Sequence, residues 1–292
     1  MRGEFVDVGG LRLYYYAAGS KNRSAGVPVV LIHGFPTSSR LWHAVARDFP
    51  DGHRLVVLDL PGYGRSDAPG NGRPPAANQR GASVRRPTCA SHANAVLGAM
   101  DQLGIARACV VGHGLGGGVA QAIAVDAPQR VSHLALVSSV AFDHTPRRMA
   151  RLARLAAPLA RASPAGLLAG LVSASVVHGF ARPERSRLAL DACLHTFTTP
   201  SGRDVLARHL RALAPADTAD WSARLGELRI PAAVVWGSQD PFFPTSLGAR
   251  LAAAIPGATF EVINGARHYV PEDAAPELLA VLTRLLGAAP AE

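Results

Sequence analysis

One nine-residue stretch limits the choice of fold more than any other. In Val110-Val111-Gly112-His113-Gly114-Leu115-Gly116-Gly117-Gly118, an apolar run passes through a glycine-rich turn into the helical pattern of Val119, Ile123 and Val125. Glycine lets two backbones approach closely and lets a chain turn sharply at low steric cost. A strand that ends in such a turn and continues at once as a helix belongs to a layered architecture with helices packed against a sheet.

The flanking sequence repeats that rhythm. Phe5 to Ala17 alternates about Gly9-Gly10, the two-residue signature of a tight hairpin. Apolar runs follow at Val27 to Ile32, Arg54 to Leu60, Ala108 to Gly112, Ser132 to Ser138, Ala232 to Trp236 and Thr259 to Ile263, each followed by helical pattern. Continuous apolar strands alternating with helices predict a parallel sheet covered on both faces. From Ala141 to Trp221 the segments are helical, which predicts a cap (141–221) inserted between two parts of the core (1–140 and 222–292). Within it Met149, Leu152, Leu155 and Leu159 share one helical face, and Arg147, Arg151, Arg154 and Arg161 another. That pattern reads as an amphipathic helix with a solvated basic face, in preference to an arginine clamp for an acidic substrate. Ala68 to Thr88, rich in Pro, Gly, Asn and Arg, is expected to be a mobile loop. Helical pattern resumes near Ser91, runs through Val96, Leu97, Met100 and Leu103, and stops at Gly104.

Charge narrows the function classes. The formal net charge of +9 raises nucleic-acid binding, but Lys21 is the only lysine and the arginines are scattered along the chain without interleaved aromatics. No binding stripe results, so no nucleic-acid partner is expected. Cys89, Cys109 and Cys193 lack ligand or disulfide spacing, so no metal is expected. There is no apolar run of eighteen residues, and Arg2, Glu4 and Asp7 interrupt any leader pattern. The expectation is a soluble, cytoplasmic protein without membrane contact, acting on a small molecule, with a homodimer left open.

The turn resembles the nucleophile elbow of the α/β-hydrolase superfamily, in which a strained central residue lifts its side chain above the sheet. Four further motifs extend the resemblance over nearly the whole chain. His33-Gly34-Phe35-Pro36 looks like the oxyanion loop, and Asp59 to Asp67 like the next strand-end loop. Trp236-Gly237-Ser238-Gln239-Asp240 and Gly265-Ala266-Arg267-His268 look like the loops bearing the catalytic acid and histidine, in the family's order. The resemblance implies an α/β-hydrolase fold, with a mostly parallel eight-stranded sheet, an N-terminal hairpin and an inserted helical cap. It also implies a role for His268 as general base, with Asp240 orienting it. The backbone N–H groups of Phe35 and Leu115 would form an oxyanion hole, and no cofactor is implied. His33 and His113 are expected to be buried structural histidines, and Asp59 and Asp67 to hold loops. Asp240 could also cap the turn before Pro241.

The departure is Gly114, which stands where the family places Ser, Asp or Cys. Losing a nucleophile costs such enzymes about a million-fold in kcat, roughly 8 kcal/mol. The wording around the elbow is similar to the epoxide-hydrolase and haloalkane-dehalogenase branch, yet Leu115 replaces the dehalogenase Trp and the cap contains no tyrosine. Several readings stand open at this point. One is an enzyme using His268 and Asp240 without a covalent step, for hydrolysis or hydration, as a lyase or as a cofactor-free oxygenase. The others are an inactive ligand-binding relative, a nucleophile-to-glycine variant, and a nucleophile relocated to Ser138, Ser139 or Asp143.

Overall fold

Gly9 and Gly10, both in the left-handed region at φ 65° and 86°, close the hairpin between β1 (Gly3–Val8) and β2 (Leu11–Gly19). In the computed structural model this hairpin forms the antiparallel margin of one sheet. The structure describes residues 3–19, 26–68, 87–142, 155, 157–158, 165–187, 190–191, 197, 199–212 and 218–288. The remaining strands are β3 (Val29–Ile32), β4 (Arg54–Leu58), β5 (Ala108–His113), β6 (Val131–Val137), β7 (Ala232–Gly237) and β8 (Thr259–Ile263). Their spatial order is β1-β2-β4-β3-β5-β6-β7-β8, antiparallel through β2 and β4 and parallel from there onward.

Alternate residues of the central strands point to opposite faces, as the strand period requires. Val30, Ile32, Val110, Leu134, Leu136 and Val234 pack on one face with α2 (Cys89–Gln102) and α3 (Leu115–Asp126). Leu31, Val111, Ala135, Val137 and Val235 face the other side, where α1 (His43–Arg47) belongs to the same core. Both sides are dry, which explains why these strands read as continuous apolar runs.

Helix α2 starts at Cys89, two residues before the expected Ser91, and stops beside Gly104 as expected. Thr88 Oγ1 accepts from the Ser91 N–H at 3.2 Å while Ser91 Oγ accepts from the Thr88 N–H at 3.0 Å, a reciprocal capping box. At the other end Gly104 takes φ 66°, the Gly104 N–H donates to Asp101 O at 3.1 Å and the Ile105 N–H to Met100 O at 2.8 Å. That pair of bonds is the Schellman closure glycine permits.

Between β6 and β7 the described residues contain helices and no strand: α4 (Ala165–His178), α5 (Pro200–Ala212) and α6 (Ala219–Arg224), with shorter turns. One sequence expectation here is corrected. Leu155 was placed on a core-facing stripe, but it is 62% exposed, while Ala157 two positions on is fully buried. The small side chain therefore faces inward at that point of the helix. Met149, Leu152 and Leu159, the four arginines expected opposite them, Cys193, and residues 69–86 of the expected mobile loop all lie outside the described residues. The last core helices are α7 (Thr245–Ala253), α8 (Val270–Asp273) and α9 (Ala275–Leu286). Among the described residues no helix is long and apolar enough to cross a membrane.

The elbow's close packing gives a stability prediction. A Cβ on Gly116 would collide with the backbone carbonyl oxygens of Ile32 and His33, which no rotamer change relieves. Gly116→Ala is expected to destabilise the protein by about 2–4 kcal/mol in a denaturant titration. Gly170→Ala, in α4 with open space around it, is expected to be stabilising by about 0.5–1 kcal/mol. Equal effects at both positions would refute the packing argument.

Candidate active site

The carboxyl ends of β3, β5, β7 and β8 bring the site together, as expected for loops outside the strand ends of an open α/β sheet. Gly114 follows β5 and is the N-cap of α3, with φ 55° and ψ −118°, a conformation costly for any residue with a side chain. Its N–H donates to Val137 O at 3.1 Å, and its carbonyl accepts from the Gly117 and Val140 N–H groups at 3.0 and 3.1 Å. These bonds fix the turn without any help from a side chain.

His268, on the loop after β8, lies across from it. A Cβ built on Gly114 would stand 3.6 Å from His268 Nε2 and 3.7 Å from Gly34 Cα, with no other atom of the described residues within 4 Å apart from the flanking His113 and Leu115. The turn has not collapsed, and room for a small group remains between the imidazole and the loop after β3.

Asp240, on the loop after β7, holds the other side of that imidazole. His268 Nδ1 donates to Asp240 Oδ2 at 2.9 Å, and both side chains are almost wholly buried. Asp240 Oδ1 accepts from the Phe242 and Phe243 N–H groups at 2.9 and 3.0 Å. One carboxylate oxygen of Asp240 thus caps the turn while the other is hydrogen-bonded to His268. Burial pushes the Asp240 carboxyl up, but His268 and the two backbone donors outweigh it, so the carboxyl sits below its ordinary range.

The ring of His268 is enclosed by Phe242, Phe243 and Tyr269 at 5.0, 5.4 and 5.1 Å, and by His113 at 4.7 Å. His113 donates from Nε2 to His268 O at 3.0 Å, and burial brings its pKa down to about 3, so it is a neutral support for the loop. His33 is likewise buried. It donates from Nδ1 to Gly34 O and accepts the Leu60 N–H at Nε2, both at 3.0 Å. Asp59 accepts from the Ser39 and Arg65 N–H groups, and Asp67 pairs with Arg12, so these carboxylates hold loops.

The loop after β3 turns its Gly34 carbonyl away from the site, where it accepts from His33 Nδ1, Thr37 N–H and Thr37 Oγ1. A Cβ on Gly34 would stand 3.1 Å from Leu115 N, so this loop lies directly against the start of α3. Leu115 opens that helix, where the first N–H groups have no intrahelical acceptor. Gly34, the residue before Phe35, is thus packed against the backbone N–H of Leu115.

Of the alternative nucleophiles, Ser138 ends β6 beside the elbow at φ 42°, fully buried and with an Oγ that has no hydrogen-bond partner. Ser139 Oγ donates to Val140 O and accepts from Gln121 Nε2. Neither serine is hydrogen-bonded to His268, and Asp143 lies outside the described residues.

Sequence reasoning passed over Asp273 and its neighbours. The Asp273 carboxylate accepts the Ala181 N–H from the cap at 2.9 Å and the Arg267 N–H from the histidine loop at 3.1 Å. Tyr269 N–H donates to Gly179 O, and Arg185 donates to the carbonyls of Glu272 and Asp273. Beside them, burial raises the Glu272 carboxyl to about 7, against the pull of Arg185. A carboxyl whose pKa is raised by folding binds its proton more tightly in the native state. Stability is then full below the unfolded pKa of about 4.5 and is lost as pH climbs to about 7. Glu272→Gln is expected to remove that decline, making the variant more stable than the parent by about 2–3 kcal/mol at pH 8. Thermal melts from pH 4.5 to 8 would test this, and parallel curves for the two proteins would contradict it.

Comparison with known proteins agrees with this architecture. Residues 27–188 and 206–275 match a family model described as the alpha/beta hydrolase fold. Over 97% of its length the chain is 33% identical to the dihydrolipoyllysine-residue acetyltransferase component of the acetoin cleaving system of Cupriavidus necator, covering 69% of that protein. It is 28% identical, over 89% of its length and 86% of the relative, to a 2-hydroxy-6-oxononadienedioate/2-hydroxy-6-oxononatrienedioate hydrolase of Cupriavidus pinatubonensis. The enol-lactonase from Burkholderia xenovorans superposes with a TM-score of 0.79 at 24% identity, over 98% of this chain and 100% of the other.

Proposed function

Because the chain belongs to the α/β-hydrolase fold family, we propose that it is a hydrolase that dispenses with the covalent intermediate and activates water directly with His268. The observation that carries this reading is the open space at Gly114, whose Cβ position lies 3.6 Å from His268 Nε2. A water resting beyond that position, toward the imidazole, would be placed to give its proton to Nε2.

In the proposed reaction Nε2 takes a proton from that water as its oxygen bonds to the substrate carbonyl carbon. The carbonyl π electrons move onto oxygen, where the N–H groups of Phe35 and Leu115 stabilise the negative charge. Asp240 keeps the Nδ1 proton in place and stabilises the imidazolium. When the tetrahedral adduct collapses, the leaving group departs with its bonding pair and takes the proton from Nε2. Such chemistry favours a leaving group that is a stable enolate or phenolate, since no acyl-enzyme divides the barrier. The Cupriavidus pinatubonensis relative, named for a hydroxy-oxo dioate, supports an enolisable carbonyl compound as the substrate class.

A purely ligand-binding role is the weaker reading. An almost fully buried, hydrogen-bonded His-Asp pair costs desolvation, and a protein with no use for it would lose it readily. Rapid-quench mass spectrometry tests the mechanism on enol esters, phenyl esters and enolisable ketones. Linear product formation with no mass added to the protein is expected. A burst accompanied by a covalent adduct would overturn the proposal.

A further inference from the structure

Beside the oxyanion loop lies a second group of buried polar rings that the reaction does not use. His92, near the start of α2, is fully buried, and neither of its ring nitrogens has a hydrogen-bond partner. His209, on cap helix α5, is 4% exposed, and its Nδ1 lies 2.8 Å from Val205 O. A carbonyl only accepts, so Nδ1 carries the proton and Nε2 keeps a bare lone pair, which is also without a partner. The two imidazoles have ring centres 6.2 Å apart and planes 6° apart. One comes from the core and the other from the cap, so they face each other across the seam between them.

The surroundings are aromatic. The Tyr63 ring stands 4.3 Å from His209 and 6.0 Å from His92, and the Phe35 ring lies 6.5 Å from His209. Phe35 is also the residue whose N–H is assigned to the oxyanion hole in the proposed reaction, so its ring links the pair to that loop. His33 touches Tyr63 from behind, but both of its nitrogens are already engaged. Burial brings His209 down to about 4, with Arg208 and then His33 adding to the effect, and brings His92 well below its ordinary value, with His209 and His33 adding. Both rings are therefore neutral at pH 7.

Buried polar atoms without partners are costly, and native proteins keep few of them. Two neutral imidazoles offer a specific set of valences: an acceptor at His209 Nε2, and one donor and one acceptor on His92. A carboxylate has no proton to give His209, so binding one there would require protonating a buried ring. A hydroxyl both donates and accepts. We propose that His92 and His209 form a recognition subsite for a hydroxyl on an aromatic substrate, which donates to His209 Nε2 and accepts from the His92 N–H. The proposal rests on the hydrolase reading for its purpose and names the substrate class, a phenol-bearing carbonyl compound.

Binding of 2-naphthol and its methyl ether, 2-methoxynaphthalene, tests this without turnover. The ether presents the same aromatic body but has no proton to donate. Calorimetric titration should give 2-naphthol at least about tenfold tighter binding to the unaltered protein. His209→Phe and His92→Phe should each bring the two ligands within about threefold of one another. His268→Ala should keep the preference, because it removes the base and leaves the subsite intact. If these variants do not fold, 15N-histidine NMR of the unaltered protein gives the same answer: naphthol, and not the ether, should shift the His209 Nε2 resonance. Equal affinity for the two ligands, a preference that survives both phenylalanine variants, or an unmoved resonance would each overturn the subsite. A preference retained by a protein that hydrolyses nothing would instead leave the subsite standing and remove the hydrolase reading.

Discussion

His268→Ala is expected to lower kcat/KM by about 10²–10⁴-fold on every carbonyl substrate the protein turns over, the range that general-base catalysis supplies. The expectation follows from position. Nε2 is the nearest group to the space above Gly114, at 3.6 Å from its Cβ position, and Nδ1 is committed to Asp240 at 2.9 Å. The loss should fall on kcat, with KM nearly unchanged, because the ring acts on water in the transition state and does not grip the substrate. Added imidazole should restore part of the rate by filling the hole the substitution leaves. Asp240→Asn should mimic the defect with the ring still present, since an amide oriented by the Phe242 and Phe243 N–H groups no longer holds the working tautomer. An unchanged rate in His268→Ala would end the general-base interpretation.

Gly114→Ser should act in the opposite direction and change the mechanism. A hydroxyl one bond beyond the Cβ position, which lies 3.6 Å from His268 Nε2, comes within hydrogen-bond reach of that nitrogen. Activated phenyl esters should then show burst kinetics, a serine-bound acyl group by mass spectrometry, and a gain of about 10²–10³-fold in the first turnover. The same substitution places a side chain at φ 55°, ψ −118°, and should reduce unfolding free energy by about 1–2 kcal/mol. Stability lost without any burst would mean that the hydroxyl is not aimed at the base. A burst without lost stability would mean that the turn is less strained than its dihedrals indicate.

Much of this fold was legible because the parallel strands are buried on both faces and so read as unbroken apolar runs. The end of α2 was legible because Gly104 supplies its C-terminal signal in the sequence itself. The pairing of Asp240 with His268 was reached only through motif resemblance, since 28 residues separate them and no local pattern links them. The cap was read less well. Leu155 belongs to a helix where apolar spacing pointed inward, but tertiary packing turned the smaller Ala157 to the core. His92 and His209 carry no signal in the chain, because each is an isolated histidine within a helix. Their relation exists only after the cap has closed on the loop containing Tyr63.

The carboxylate of Asp273 behaves as a rivet through two plates. One backbone donor belongs to the cap at Ala181 and the other to Arg267, immediately before His268. A shift of the chain at Ala181 would therefore be passed, through one carboxylate, to the residue next to His268.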